Sequence, residues 1–335
     1  MLESCTQLTF QAAGAPLRSK SEFVPLQISE FSERTRAHIK IQDGCNHACS
    51  FCKVVLVRGK SRSRPLTEIV EEAKRLVDHG YLEIVLTGIQ LGAYGLDFET
   101  PTTLIHVLEA LHGIEGIQRI RLSSIEPNDV TDSLIETMRE IPEVCHHLHI
   151  PLQSGSNSIL KAMNRRYRKE QYLELVQKLN ETLDDFILTT DVMAGFPSET
   201  DRDFEETVKA LLETRPFKLH IFPYSAREGT RAHSFKSVPT EIVKQRMDVL
   251  FELEEKLKQE LKRRYLGREL DILMEDHGDT QWLHGRASNY LPVRIPASLS
   301  SAFYKNKLIP VKVERLESNF LVGQVLNPLT KRSVP

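Results

Sequence analysis

Between residues 36 and 222, short apolar runs alternate with longer stretches whose apolar positions fall three and four apart. In Arg36–Ile41, the residues Ala37, Ile39 and Ile41 alternate with polar neighbours, as in a strand with one buried face. Residues 67–79 then place Ile69, Val70, Ala73, Leu76 and Val77 on one helical face, with Thr67 as the expected N-cap and Gly80 as the stop. The alternation repeats, predicting strands at 83–86, 119–122, 147–150, 185–190 and 218–222 and helices at 103–111, 132–140, 169–179 and 200–213. Six such strands predict a parallel α/β sheet with right-handed crossovers. A full closed barrel needs eight units, so the expected fold is an open, partial (βα)6 barrel of the TIM type. Residues 240–265 read as one long charged helix leading out of it. Beyond Leu266-Gly-Arg268 the period changes: 269–273, 291–295, 308–313 and 319–325 are short alternating strands, a small all-β module expected to close into a barrel. The expected units are therefore 1–34, a linker or the remnant of an N-terminal domain; 35–265, the α/β domain with its long helix; and 266–335, the β-module.

Composition alters this picture little. The chain has 335 residues, 40 % hydrophobic and 27 % charged, as expected of a globular protein with a sizeable core. Its formal net charge of −2 means that any site for a polyanion must be a local patch. No run is long and apolar enough to span a membrane, and residues 1–10 lack the pattern of a secretory signal. A cytoplasmic protein with no membrane contact is expected.

The five cysteines carry the chemistry. Cys45, Cys49 and Cys52 lie within eight positions of one another, while Cys5 and Cys145 are isolated, which is unlike a disulfide framework. The run Cys45-Asn-His-Ala-Cys49-Ser-Phe-Cys52 follows the first strand, at the end of the sheet where α/β barrels build their sites. Three thiolates on one tight loop can hold three irons of a cubane and leave the fourth open. An open iron can chelate the amino and carboxylate groups of S-adenosylmethionine (SAM), whose reductive cleavage gives a 5′-deoxyadenosyl radical. Structural zinc is the competing reading, with His47 as a fourth ligand, but zinc sites usually draw paired ligands from separate segments.

The sequence resembles the methylthiotransferase family of radical SAM enzymes. The resemblance runs from about Thr35 to residue 330 and rests on Ile39-Lys-Ile-Gln-Asp-Gly-Cys45, Val57-Arg-Gly-Lys-Ser-Arg-Ser-Arg-Pro65, Ser123-Ser-Ile-Glu-Pro127, His149-Ile-Pro-Leu-Gln-Ser-Gly-Ser156, Asp191-Val-Met-Ala-Gly-Phe-Pro197 and Phe222-Pro-Tyr-Ser225. The β-module resembles the RNA-binding TRAM barrel of that family. Leu86-Thr-Gly-Ile-Gln-Leu-Gly-Ala-Tyr-Gly95 and His220-Ile-Phe-Pro-Tyr-Ser225 look most like the branch that places a methylthio group on C2 of N6-threonylcarbamoyladenosine, 3′ of the tRNA anticodon. Other branches act on isopentenyladenosine in tRNA or on an aspartate of a ribosomal protein. A non-catalytic RNA-binding module with a structural metal is the reading outside the enzymes. The resemblance implies one [4Fe-4S] cluster on Cys45, Cys49 and Cys52, SAM as cofactor, tRNA as partner, and an electron donor such as flavodoxin or ferredoxin. Family members carry a second, auxiliary cluster on three cysteines of an N-terminal domain. Only Cys5 precedes the motif here, so a second cluster is not expected. The expectation is a fragment or truncated product that cleaves SAM without completing sulfur insertion.

No side chain is singled out as a catalytic residue. The strand ends supply candidates for holding SAM: Thr87 and Gly88, Ser124 and Glu126, Gln153, and Asp191. A glycine there admits backbone carbonyls to the SAM ammonium, and a carboxylate suits a ribose hydroxyl. Arg58, Lys60, Arg62 and Arg64, with Arg165 and Arg166, are expected to meet RNA phosphates, one of each run alternatively holding the SAM carboxylate. Lys256–Arg264 reads as a solvated face. Trp282 and Tyr290 are candidates for base stacking, with core packing open for Trp282. His146, His147 and His149 read as packing and loop residues, because adjacent strand residues face opposite ways.

Overall fold

A computed structural model describes residues 35–275, 281–297, 304, 306–317 and 320–326. The expected linker, with Cys5, lies outside the described residues. Strands β1 (Ala37–Lys40), β2 (Gln42–Asp43), β3 (Arg62–Ser63), β4 (Glu83–Thr87), β5 (Arg119–Leu122), β6 (His147–His149), β7 (Ile187–Ala194) and β8 (Lys218–Pro223) are interleaved with helices α1 (Val54–Arg58), α2 (Leu66–Asp78), α3 (Leu104–His112), α4 (Asp132–Glu140), α5 (Asn157–Ala162), α6 (Lys169–Thr182) and α7 (Asp201–Thr214).

Two parallel sheets, β1-β4-β5 and β6-β7-β8, form one arc. Parallel bridges between Ile120 and Val144 and between Ser124 and His149 join β5 to β6. Among the described residues β8 makes no ladder with β1, so the six-stranded barrel is open on one side. The two-residue period decides what faces where. Ile39, Leu86, Ile120 and Leu148 point outward and are fully buried under the helices, against residues such as Ile69, Ala73, Leu108 and Met138. Their polar neighbours His38, Arg121, His147 and His149 point into the barrel.

Two features differ from the sequence expectation here. Helix α2 begins at Leu66 with Pro65 as its cap, not at Thr67, because proline suits the helix entrance. The hairpin of β2 with β3 and the short helices α1 and α5 are too brief to leave a periodic signature.

Helix α8 (Thr240–Arg263) leads to a second unit of β9 (Glu269–Glu275), β10 (Trp282–Ala287), β11 (Pro292–Pro296), β12 (Leu308–Glu317) and β13 (Phe320–Val325). They close as a barrel in the order β10-β11-β13-β12-β9, with β9 also paired to β10. Strand β10 is an addition to the four expected; its Trp-Leu-His-Gly-Arg-Ala carries too few apolar residues to alternate clearly. Near the end of α8, Lys262 corrects the reading of a wholly solvated face: it is buried, with its ammonium over the Phe217 ring.

The small barrel seats on the N-terminal ends of the large barrel's strands. Arg119 donates to the carbonyls of Asp271 (2.6 Å) and Arg286 (3.0 Å), and Arg268 pairs with Asp185 at 2.5 Å. Ile187 and Phe217 share an apolar cluster with Ile272, Val293 and Leu321. The thiol loop lies at the opposite, C-terminal end.

Candidate active site

The loop after β2 is held before any thiol is considered. Gln42, fully buried, donates through Nε2 to the carbonyls of Asp43 and Gly44 and to Ser61 Oγ, while its Oε1 accepts from the Gln90 amide at 2.8 Å. Gly44 has φ of 74°, and a Cβ there would lie 2.0 Å from the Lys60 carbonyl oxygen, so only glycine lets the loop turn and bring the Cys45 amide to the Gly59 carbonyl.

On this frame sit the three half-buried thiols. The His47 amide donates to Cys45 Sγ (3.3 Å), the Val54 amide to Cys52 Sγ (3.4 Å) and Arg165 Nη1 to Cys49 Sγ (3.5 Å). Each sulfur therefore faces an N–H donor, the environment a thiolate ligand needs. Among the described residues no three His, Cys, Asp or Glu side chains converge closely enough for a single metal ion. A wider set suits a polynuclear cluster, where each thiolate takes its own iron, and these residues fit one. His47 turns to Gln90 in this arrangement. Its Nε2 lies 3.0 Å from Gln90 Nε2, and burial, with Arg166 and Arg165 nearby, pushes its pKa down to about 4.

Orphaned polar atoms lie on the segments that follow β5 and β6. Gln153 is buried with φ of 60° and its backbone pairs with β7, leaving Oε1 unpartnered among the described residues. Arg165 Nε, Asp129 Oδ2 and Ser123 Oγ are likewise buried without a hydrogen-bond partner. Such atoms cost free energy unless a ligand meets them, and a polar molecule of SAM's kind would. Glu126 stands beside them, paired with Arg165; burial holds its carboxyl above the ordinary value despite that arginine. Asp191 receives hydrogen bonds at one oxygen from His149 Nε2 and His220 Nδ1, each at 3.0 Å. Burial would raise its pKa, but the two imidazoles outweigh it and hold it low.

The candidates for SAM divide. Glu126, Gln153 and Asp191 gather at the mouth of the barrel. Thr87 instead donates to the Ile39 carbonyl at 3.2 Å. Gly88 is needed for packing, since a Cβ there would lie 3.0 Å from Gln42 Oε1. Ser124 bridges to β6 through its backbone and is exposed.

The candidates for RNA divide more sharply. Arg58 and Lys60 are exposed, and so is Arg166. Arg62 is half-buried and pairs with Asp43 at 3.2 Å. Arg64 is a correction: at 2 % exposure, it pairs with Glu68 and Glu72 of α2 beneath the strand. Arg165 is another, drawn inward to Cys49 and Glu126. Tyr290 is a third: its ring lies on His147 and lines the interior of the large barrel, away from the outer face of the small one. Trp282 is outside the core of the small barrel, with Arg294 4.1 Å over its ring. His149, read as packing, joins the site through Asp191, while His146 bonds to the Asp184 and Met138 carbonyls on the outside. Gln90 was missed although it lies in the motif after β4.

Beneath the mouth is a cavity of about 560 Å³ inside the barrel, running from Asp191, His149 and His220 down to Arg121, His147 and Tyr290. Asp191 belongs both to this lining and to the hydrogen-bonded group with His149 and His220.

Comparison with known proteins places these features. The radical SAM superfamily profile matches residues 39–211. A threonylcarbamoyladenosine tRNA methylthiotransferase (MtaB) of Bacillus subtilis is 42 % identical over 304 residues, 89 % of this chain and 67 % of that protein. Its namesake in Chlamydia pneumoniae is 36 % identical over 305 residues, 91 % of this chain and 71 % of that protein. A tRNA-2-methylthio-N(6)-dimethylallyladenosine synthase of Aquifex aeolicus is 38 % identical over 287 residues, covering 85 % of this chain and 65 % of that one. The chain thus spans about two thirds of the length of these relatives.

Proposed function

Because this chain belongs to the radical SAM methylthiotransferases, we propose that it acts on N6-threonylcarbamoyladenosine in tRNA, at C2 of the adenine. The observation that carries this reading is that Cys45, Cys49 and Cys52 follow β2 on one loop of a barrel whose interior holds a cavity, lined by arginine, histidine, threonine and aspartate side chains, large enough for a modified nucleoside. Two of the three relatives above bear this substrate in their names.

The chain's cofactors are one [4Fe-4S] cluster, which Cys45, Cys49 and Cys52 would hold, and SAM. When bound, the cluster supplies an open iron for SAM and the electron that cleaves its carbon–sulfur bond. The protein's own residues bind and orient. Arg165 neutralises charge beside Cys49 and fixes Glu126. Gln153 presents its free oxygen, and Asp191, braced by two imidazoles, presents its remaining one. Exposed Arg58, Lys60 and Arg166 at the rim suit phosphates of a folded RNA. The small barrel is read as the TRAM module and as a further RNA contact. The reductant is read as a flavodoxin or ferredoxin and the location as the cytoplasm; among the described residues no helix is long and apolar enough to cross a membrane.

Binding tests the reading. The anaerobically reconstituted chain, with SAM present, is titrated with tRNA carrying the threonylcarbamoyl group, the dimethylallyl group or unmodified adenosine. Tighter binding of the first is expected. Equal binding of all three would overturn it.

A further inference from the structure

The deepest part of the cavity contains a feature that SAM and cluster chemistry leave unused. Arg121, on β5, is 3 % exposed. Its Nε donates to Glu83 Oε1 at 2.6 Å. Its Nη1 and Nη2 are both buried and have no hydrogen-bond partner among the described residues, and the side chain lines the cavity. Two buried guanidinium nitrogens without a partner in the protein are costly, and a planar anion that takes both removes the cost.

The surroundings select the same ligand. Arg36, just before β1, and Lys218, the first residue of β8, line the cavity, and Asp191 is its one carboxylate. Glu83, which pairs with Arg121, and Glu275, which pairs with Arg36 at 3.0 Å, lie outside the lining. Three cations and one acid therefore line the cavity, with Glu83 and Glu275 balancing two of the cations from behind. The imidazoles of His147 and His149 are tied together through Thr189 Oγ1, 3.1 and 3.0 Å away, and keep the wall beside Arg121 polar. An apolar branched arm would leave the two Arg121 nitrogens desolvated and unmatched.

We infer that Arg121 is a specificity-determining residue: it binds a carboxylate at the end of the substrate's N6 arm, deep in the barrel and below the reacting base. The inference rests on the proposed function and sharpens it, because threonylcarbamoyl carries a carboxylate and dimethylallyl carries none. It also gives the small barrel a second role. Tyr290 reaches in from the β10–β11 turn, with Arg121 5.3 Å over its ring, and forms the floor against which the arm ends.

The test varies the substrate first, which avoids perturbing the fold. Anticodon stem-loops carrying N6-threonylcarbamoyladenosine, its carboxamide analogue and unmodified adenosine are titrated into the SAM-bound, reconstituted chain. Loss of the carboxylate alone is expected to weaken binding about tenfold or more. The same pair is then measured with Arg121→Met and Arg121→Lys, each first shown by circular dichroism to be folded. The carboxylate preference is expected to vanish in Arg121→Met and to return in part in Arg121→Lys. Equal binding of carboxylate and carboxamide by the unaltered chain, or a full preference retained in Arg121→Met, overturns the inference. If the carboxamide still binds better than unmodified adenosine, the proposed function survives that failure; if all three stem-loops bind alike, both readings fall.

Discussion

The ring of Tyr290 lies flat on the imidazole of His147, centroids 4.5 Å apart and planes 15° from parallel. One residue belongs to the small barrel and the other to β6 of the large one, so the stack joins two units that each close their own core. Arg286 covers the same tyrosine ring at 4.5 Å.

This stack predicts a stability effect. Aromatic pairs contribute about 0.5–1.5 kcal/mol beyond their buried area. Tyr290→Ala is expected to cost about 2–4 kcal/mol in all, whereas Tyr290→Phe, which keeps the ring, is expected to stay close to wild type. Urea unfolding of the two variants checks this. Equal loss in both would assign the effect to the hydroxyl and not to the stack.

The basic run beside the thiol loop divides into buried, paired members and exposed ones. Arg64→Ala leaves Glu72 buried without its partner, and such a break costs about 3–5 kcal/mol. Arg58→Ala with Lys60→Ala touches exposed side chains and is expected to change stability by less than about 0.5 kcal/mol. It is expected instead to weaken tRNA binding and flatten its dependence on salt. Melting curves and binding at several salt concentrations separate the two effects. A stable Arg64→Ala chain with weakened RNA affinity would restore the surface reading of Arg64.

These corrections show what was legible in the sequence. The period of two marked β1, β4 and β5, and helical spacing marked the helices that cover them, because both are local properties of an apolar face. The spacing of Cys45, Cys49 and Cys52 carried its chemistry openly, since three thiolates in eight residues have few uses. Arg121 was invisible: in Arg119-Ile-Arg-Leu122 it looks like a solvent-facing strand residue, and only barrel curvature turns that face inward onto a cavity. Arg64 failed for a related reason. A charged run suggests one surface, but Arg58 and Lys60 stay exposed while Arg62 and Arg64 turn inward to Asp43, Glu68 and Glu72. Tyr290 and His147 are 143 residues apart (290 − 147), and no local pattern relates them.

Asp203 gives a dependence on pH. It accepts hydrogen bonds from Ser156, Ser158 and Thr200, and although burial pulls upward, these bonds lower its pKa from 3.8 to about 2. A carboxylate whose folded value lies below its unfolded one stabilises fully above the unfolded value and loses that contribution as pH falls through the folded one. The stability difference between wild type and Asp203→Asn is therefore expected to shrink between pH 3.8 and about 2. Thermal melts of both across that window test this, and a constant difference would contradict it.

The central claim is that Cys45, Cys49 and Cys52 together hold the cluster at which SAM is cleaved. The most direct measurement is anaerobic reconstitution with iron and sulfide, followed by iron counting and chromatography of 5′-deoxyadenosine after SAM and a reductant are added. The wild-type chain is expected to bind about four irons and to release 5′-deoxyadenosine. Cys45→Ala, Cys49→Ala and Cys52→Ala are each expected to abolish that release, and Cys145→Ala to retain it. Stoichiometric zinc without iron uptake, or cleavage that survives loss of any one of the three thiols, would contradict the claim.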